Sequence, residues 1–190
     1  MTATVSVGLL ILRVIAGLTI AAHGSQKLFG WFSGPGFTKF AQSFQNQGLK
    51  PGWLWTSLVV LGELGGGLSL AFGFLTPLGA AGMFGAMFMA IAKSHWKKGF
   101  WNRSGGLEFP LQLLVAGVTL GLTGPGNYSL DYLFGIAFPY PLLFIILAIV
   151  ALLVDIAGLF LERSRPAVAA APAIGGGTTA PASESSSRAS

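Results

Sequence analysis

From Leu142 to Leu161 the chain runs through twenty residues whose only charge is Asp155. At about 1.5 Å per residue a helix of that length covers the roughly 30 Å of hydrocarbon in a bilayer. In lipid each backbone N–H and C=O must be satisfied within the segment, so such a run folds as a helix. Comparable runs extend from about Val7 to Phe29, Trp53 to Phe74, Pro77 to Ser94 and Leu107 to Thr123. Only 9% of the residues are charged, against about 25% in soluble domains. The predicted fold class is therefore all-α: an integral membrane bundle of four core transmembrane helices plus a fifth C-terminal transmembrane helix. The short Gly73 to Thr76 connection makes spans two and three an antiparallel pair.

Between spans one and two, Gly30 to Gly52 is too polar to cross. Phe37, Phe40 and Phe44 recur there at helical spacing, with Lys39, Gln42, Gln45 and Asn46 between them. This pattern predicts a short interfacial helix that caps the bundle. The first span is read as retained rather than as a cleaved signal peptide, because no Lys or Arg precedes it and no small-residue cleavage site follows it. From Glu162 onward Ala, Pro, Gly, Ser and Thr dominate, and a disordered tail over 162–190 is expected.

Charge sets the expected topology. With five spans, Lys39, Lys50, Lys93, Lys97, Lys98, Arg103, Arg163 and Arg165 share one side, and the loops opposite carry only Asp131. The positive-inside rule then places the N-terminus outside and the tail in the cytoplasm of a multi-pass plasma-membrane protein. Trp31, Trp53, Trp55, Trp96 and Trp101 fall near the same face, as an interfacial belt does. The net charge of +5 thus reads as a topology signal, and no nucleic-acid partner is expected.

Charged groups inside such spans are costly and mark pairs or sites. His23 and Lys27 share a helix face. Glu63 lies roughly 15 Å deep in span two. A side chain so short does not reach water from there, so Glu63 is protonated, paired with Lys27 or His23, or turned toward a wet cavity. Antiparallel packing gathers His23, Lys27, Glu63, His95, Glu108 and Gln112 toward one end. Plainer roles stand beside this reading: Lys27 snorkelling to the headgroups, His95 and Glu108 at the interface, Glu63 in a structural clamp. Arg13 and Asp155 are left over, to pair with each other or with another subunit. Pairs of small residues, Gly62 with Gly66 and Gly82 with Ala86, have the spacing that lets membrane helices approach closely.

Several segments together resemble the DoxX family. They are His23-Gly24-Ser25-Gln26-Lys27-Leu28-Phe29-Gly30, Gly34-Pro35-Gly36, Glu63-Leu64-Gly65-Gly66 with Thr76, Gly105-Gly106-Leu107-Glu108, and Gly124-Pro125-Gly126-Asn127-Tyr128-Ser129-Leu130-Asp131. The resemblance implies a four-helix bacterial membrane protein, in a family named for a small subunit linked to quinone-dependent oxidation of sulfur compounds. It divides the chain into a DoxX-like membrane domain at 1–135, an added transmembrane helix at 136–161 and the tail at 162–190.

The expected function is that of a membrane subunit of a quinone-linked oxidoreductase or redox-stress system, with protein partners in the bilayer. His23, Lys27, Glu63, Glu108 and Gln112 are the candidate quinone or proton site, and Arg13, His95 and Asp155 are weaker candidates. Quinone carbonyls need hydrogen-bond donors and quinone reduction needs protons, which a histidine, an ammonium and carboxylates supply. The alternatives are a non-enzymatic scaffold that recruits partners and a small proton-coupled transporter built around Glu63. Haem is not expected, because His95 sits among Lys93, Lys97 and Lys98 at the membrane edge. No metal site is expected either, in a chain with two His and no Cys.

Overall fold

In the computed structural model, residues 1–163 are described, and the expected disordered tail lies outside them apart from its first two residues. The described residues contain helices and no strand. In chain order they are α1 (Ala3–Phe29), α2 (Gly36–Asn46), α3 (Gly52–Phe72), α4 (Thr76–Ala90), α5 (Glu108–Thr123), α6 (Leu130–Leu133) and α7 (Leu142–Arg163). This is the all-α membrane bundle that the apolar runs predict. By length and composition α1, α3 and α7 each suffice to cross a bilayer. The fifteen residues of α4 run on into five of π-helix, Ile91–His95, whereas α5 has sixteen residues.

The helix ends follow local chemistry. Thr2 caps α1 by accepting the Val5 amide, and α1 stops at Gly30, whose left-handed φ of 76° lets its amide return to the Gln26 carbonyl. In α2, Phe44 is buried while Gln42, Gln45 and Asn46 face outward, so the amphipathic pattern has found a surface to cover.

α4 is the centre of the packing, flanked by α3, α5 and α7, and α1 lies across α3. Ile20, Leu70, Met83 and Leu120 are fully enclosed, while Ile11, Ile15, Ile149, Leu153 and Ile156 point outward from α1 and α7. Apolar side chains therefore cover the flanks as well as the core, as a lipid solvent allows. Contact between α1 and α3 depends on glycine: a Cβ at Gly17 would lie 2.6 Å from the Ala71 nitrogen and the Gly67 oxygen, and one at Gly24 would enter Leu64. α3 and α4 cross at Gly62 and Gly82, where a Cβ on Gly62 would lie 2.7 Å from the Gly82 oxygen. With little hydrophobic drive between helices in lipid, such close approach supplies the dispersion contacts that hold them.

α3 is not one regular helix. Leu61–Gly65 forms a π turn. The extra residue offsets the two halves by about 100°, one residue's rotation. Glu63 sits in this turn.

Candidate functional site

Two polar centres occupy opposite ends of the bundle. At the end bearing most of the lysines, Lys27 of α1 meets Glu63 of the α3 π turn in a direct ion pair. Glu63 is 3% exposed, whereas the Lys27 side chain keeps 19%. Lys27 also lies over the Phe40 ring of α2, 5.5 Å from its centroid. The segment around Lys27 is shaped for this. The Ser25 hydroxyl donates to the Ala22 carbonyl at 2.7 Å, and the Gln26 amide reaches the Phe32 carbonyl at 3.4 Å, folding the following loop against α1. One turn before Lys27, the His23 ring packs against Phe109 of α5, with centroids 5.4 Å apart.

Of the options open to Glu63, the structure contains the pairing with Lys27. Lys27 does not simply snorkel. The wider cluster does not assemble. Glu108 accepts the Asn102 amide at 2.9 Å, in the loop ahead of its own helix, and Gln112 is exposed on α5. His95 Nδ1 lies 2.7 Å from the Gly105 carbonyl and ties the end of the π segment to that same loop. A second ion pair at this end escaped sequence reasoning. Lys93 meets Glu162 at 3.0 Å and lies over the Phe44 ring, which fastens α7 to α4 and α2. Lys93 counts in the sequence only as a charge near a span end, and Glu162 falls in the expected disordered tail, whereas here it belongs to the last turn of α7. Trp55, at the same end, packs on Gly158 of α7.

The other centre is built around Arg13 and Asp131. Arg13, 3% exposed, donates to the Ala71 carbonyl at 2.6 Å and the Leu70 carbonyl at 3.4 Å, and to the Tyr128 carbonyl. Asp131, 2% exposed, accepts from the Leu75 amide at 2.8 Å, the Thr76 amide at 3.0 Å and the Thr76 hydroxyl at 2.7 Å. The tyrosine hydroxyl of Tyr140 adds a contact at 3.3 Å. Ser129 caps α6 through the Tyr132 amide, and the Asn127 amide reaches the Ser6 hydroxyl at 3.3 Å. The loop Gly124 to Asp131 thus knots α1, the α3–α4 turn and the approach to α7 together. Gly73 has no Cβ because one would strike Ser129 and Arg13. Arg13 is therefore not a partner of Asp155. Asp155 stands alone on α7, and its Oδ2 has no hydrogen-bond partner among the described residues.

Tyr140 precedes α7, outside the spanning helices. Burial, and secondarily the negative charge of Asp131, raise its hydroxyl above the ordinary tyrosine range. A raised value means the folded state keeps the proton that the unfolded chain gives up, so this contribution is lost as pH climbs past the unfolded value near ~10. The melting temperature of wild type is expected to fall toward, and then below, that of Tyr140→Phe as pH is raised through this range. Parallel melting curves at all pH values would show that Tyr140 is not coupled to folding.

Among the described residues no group of three or more His, Asp or Glu is placed to hold a metal ion. The arrangement is that of a helical membrane protein with a buried ion pair in its interior and a polar knot at its opposite end. The DoxX family pattern matches residues 8–96. The chain is 33% identical over 129 residues to the inner membrane protein YqjF of Escherichia coli (strain K12), covering 67% of this chain and 92% of that protein. This chain belongs to the DoxX family. No solved structure matches it.

Proposed function

We propose that this protein is the membrane subunit of a quinone-linked redox system in a bacterial inner membrane, and that the Lys27–Glu63 pair holds the quinone headgroup or relays its protons. The observation that carries the reading is the pair itself, a carboxylate and an ammonium in contact between α1 and the π turn of α3. π turns inside α-helices are frequent at functional sites.

The residues suit such a ligand. An ammonium has three N–H donors, so Lys27 retains donors for a carbonyl oxygen while it holds Glu63. Its partial exposure leaves it reachable, and His23 adds a ring nitrogen one turn away. A bound quinone would supply a two-electron acceptor whose reduction takes up protons. In the protein, Glu63 holds and passes a proton at its carboxyl oxygens, Lys27 balances the charge, and the Phe40 ring covers the ammonium. A chain without Cys brings no thiol redox centre, so the electrons come through a partner.

Supporting the location are the name of the Escherichia coli relative and the apolar helices. The positive-inside rule supports an outer N-terminus and a cytoplasmic tail. On this reading residues 1–135 are the unit held in common with the family, and α7 is an added surface. The test is the quinol-linked rate of membranes containing Glu63→Gln at wild-type abundance. A loss of about tenfold or more is expected, within the range of a lost proton-transfer group. An unchanged rate would refute the reading.

A further inference from the structure

The floor of a long groove is laid by Gly62, Gly66 and Gly82, where α3 and α4 cross with no side chain between them, and by Gly85 of α4, which faces α7. α7 forms one wall. The groove has a volume of about 660 Å³ and runs from Phe44 and Leu49 at the lysine-rich end to Phe74 and Leu130 at the other. It follows nearly the whole of α3, about 30 Å at the rise of an α-helix, so its shape suits an extended chain rather than a compact molecule. Its lining is apolar almost throughout.

Two polar side chains interrupt it: Ser69, whose hydroxyl is already donated to the Phe74 carbonyl, and Asp155. Asp155 lines the groove from α7, 9% exposed, with Oδ2 unpartnered among the described residues and facing Gly85. Any acyl chain of the bilayer could fill an apolar groove, but a buried acceptor without a donor costs free energy until one arrives. The donor has to be small and uncharged. Asp155 lies two turns inside Glu162, about 10 Å along the helix, and a charged headgroup would have to shed its water to come so deep. A hydroxyl can do so at far lower cost.

We infer that the groove between α3, α4 and α7 is a binding site for a long-chain alcohol drawn from the bilayer, its chain along the glycine floor and its hydroxyl donating to Asp155. The site is separate from the Lys27–Glu63 pair. Glu63 faces α1, whereas Gly62 and Gly66 face α4 and line the groove with their backbones.

The test uses the full chain in mild detergent with two photoactivatable probes that share one sixteen-carbon chain, the alcohol and its methyl ether, each about the chain length of a membrane lipid leaflet. The alcohol is expected to label groove peptides of α3, α4 and α7 roughly tenfold more than the ether, the effect of one hydrogen bond to a buried carboxyl oxygen. Asp155→Leu should bring alcohol labelling down to the ether level and leave ether labelling unchanged. Asp155→Asn, which retains an acceptor and the original shape, should keep most of the preference, and Gly85→Leu should reduce both labels by filling the floor. Equal labelling by the two probes in wild type would overturn the proposal. So would a preference that survives Asp155→Leu, or cross-linking of two copies through α7 in place of groove labelling.

Discussion

Glu63→Leu is expected to destabilise the protein by about 3–5 kcal/mol, while the double variant Lys27→Met/Glu63→Leu recovers most of that loss. Removing one partner of a buried ion pair strands the other charge where little water reaches it. Replacing both by apolar side chains of similar size removes the desolvation cost together with the attraction, and is often neutral or stabilising. Here the stranded group would be Lys27, only 19% exposed and left beside the Phe40 ring, worth at most about 2 kcal/mol as a cation–π partner. The readout is thermal or denaturant unfolding in mild detergent across the four-member cycle. Equal destabilisation in the single and double variants would show that the ion pair is not what couples α1 to the π turn.

The second large effect is expected at the opposite end. Asp131→Ala should cost on the order of 4 kcal/mol, because it orphans the Leu75 amide, the Thr76 amide and the Thr76 hydroxyl at once. Leu75 holds a left-handed φ of 51°, a conformation that costs a non-glycine residue about 1–2 kcal/mol. Asp131 holds the turn in that shape. Adding Leu75→Gly to Asp131→Ala should therefore recover about 1 kcal/mol, and Asp131→Asn should cost less than Asp131→Ala, since an amide oxygen still accepts. Hydrogen exchange at Leu75 and Thr76 reports the same event locally. Protection that persists in Asp131→Ala would contradict the role assigned to the carboxylate.

How much of this was legible beforehand depended on the range of the interactions. The apolar runs marked the long helices because lipid exposure imposes composition on every residue of a span. The small-residue spacing marked the Gly62–Gly82 crossing for a similar reason, since a backbone contact leaves no room for another residue type. Glu63 was identifiable as anomalous, and Lys27 was among its possible partners, because each stands out against an apolar background. Asp131 did not stand out. It lies in a polar loop, where a carboxylate is ordinary, and its value comes from a turn 55 residues away in sequence. The π turns also leave no composition signature: they shift the phase of the side-chain pattern by one residue, and a helix apolar on all sides does not display its phase. Glu108, His95 and Gln112 were expected to converge on Glu63 from helix direction alone. The two short 3-10 turns, Trp96–Lys98 and Asn102–Ser104, set the course of the loop, and the loop takes Glu108 and His95 for itself.

Arg13 and Asp155 illustrate the same limit. Both were isolated charges within spans, and nothing local distinguished their fates. Tertiary packing gave Arg13 three carbonyls and left Asp155 beside a glycine-floored groove. The first is accounted for as part of a structural knot. The second has the geometry of a ligand acceptor.

The central claim, that the Lys27–Glu63 pair is a working site and not only a clamp, is tested most directly by titrating a quinone analogue into purified wild type, Lys27→Met/Glu63→Leu and Tyr140→Phe. The account predicts that the double variant melts close to wild type yet binds the analogue at least about tenfold more weakly, a loss of roughly 1.4 kcal/mol, while Tyr140→Phe binds it normally. Equal affinity in the double variant and wild type would contradict the claim and leave the pair as a structural link between α1 and α3.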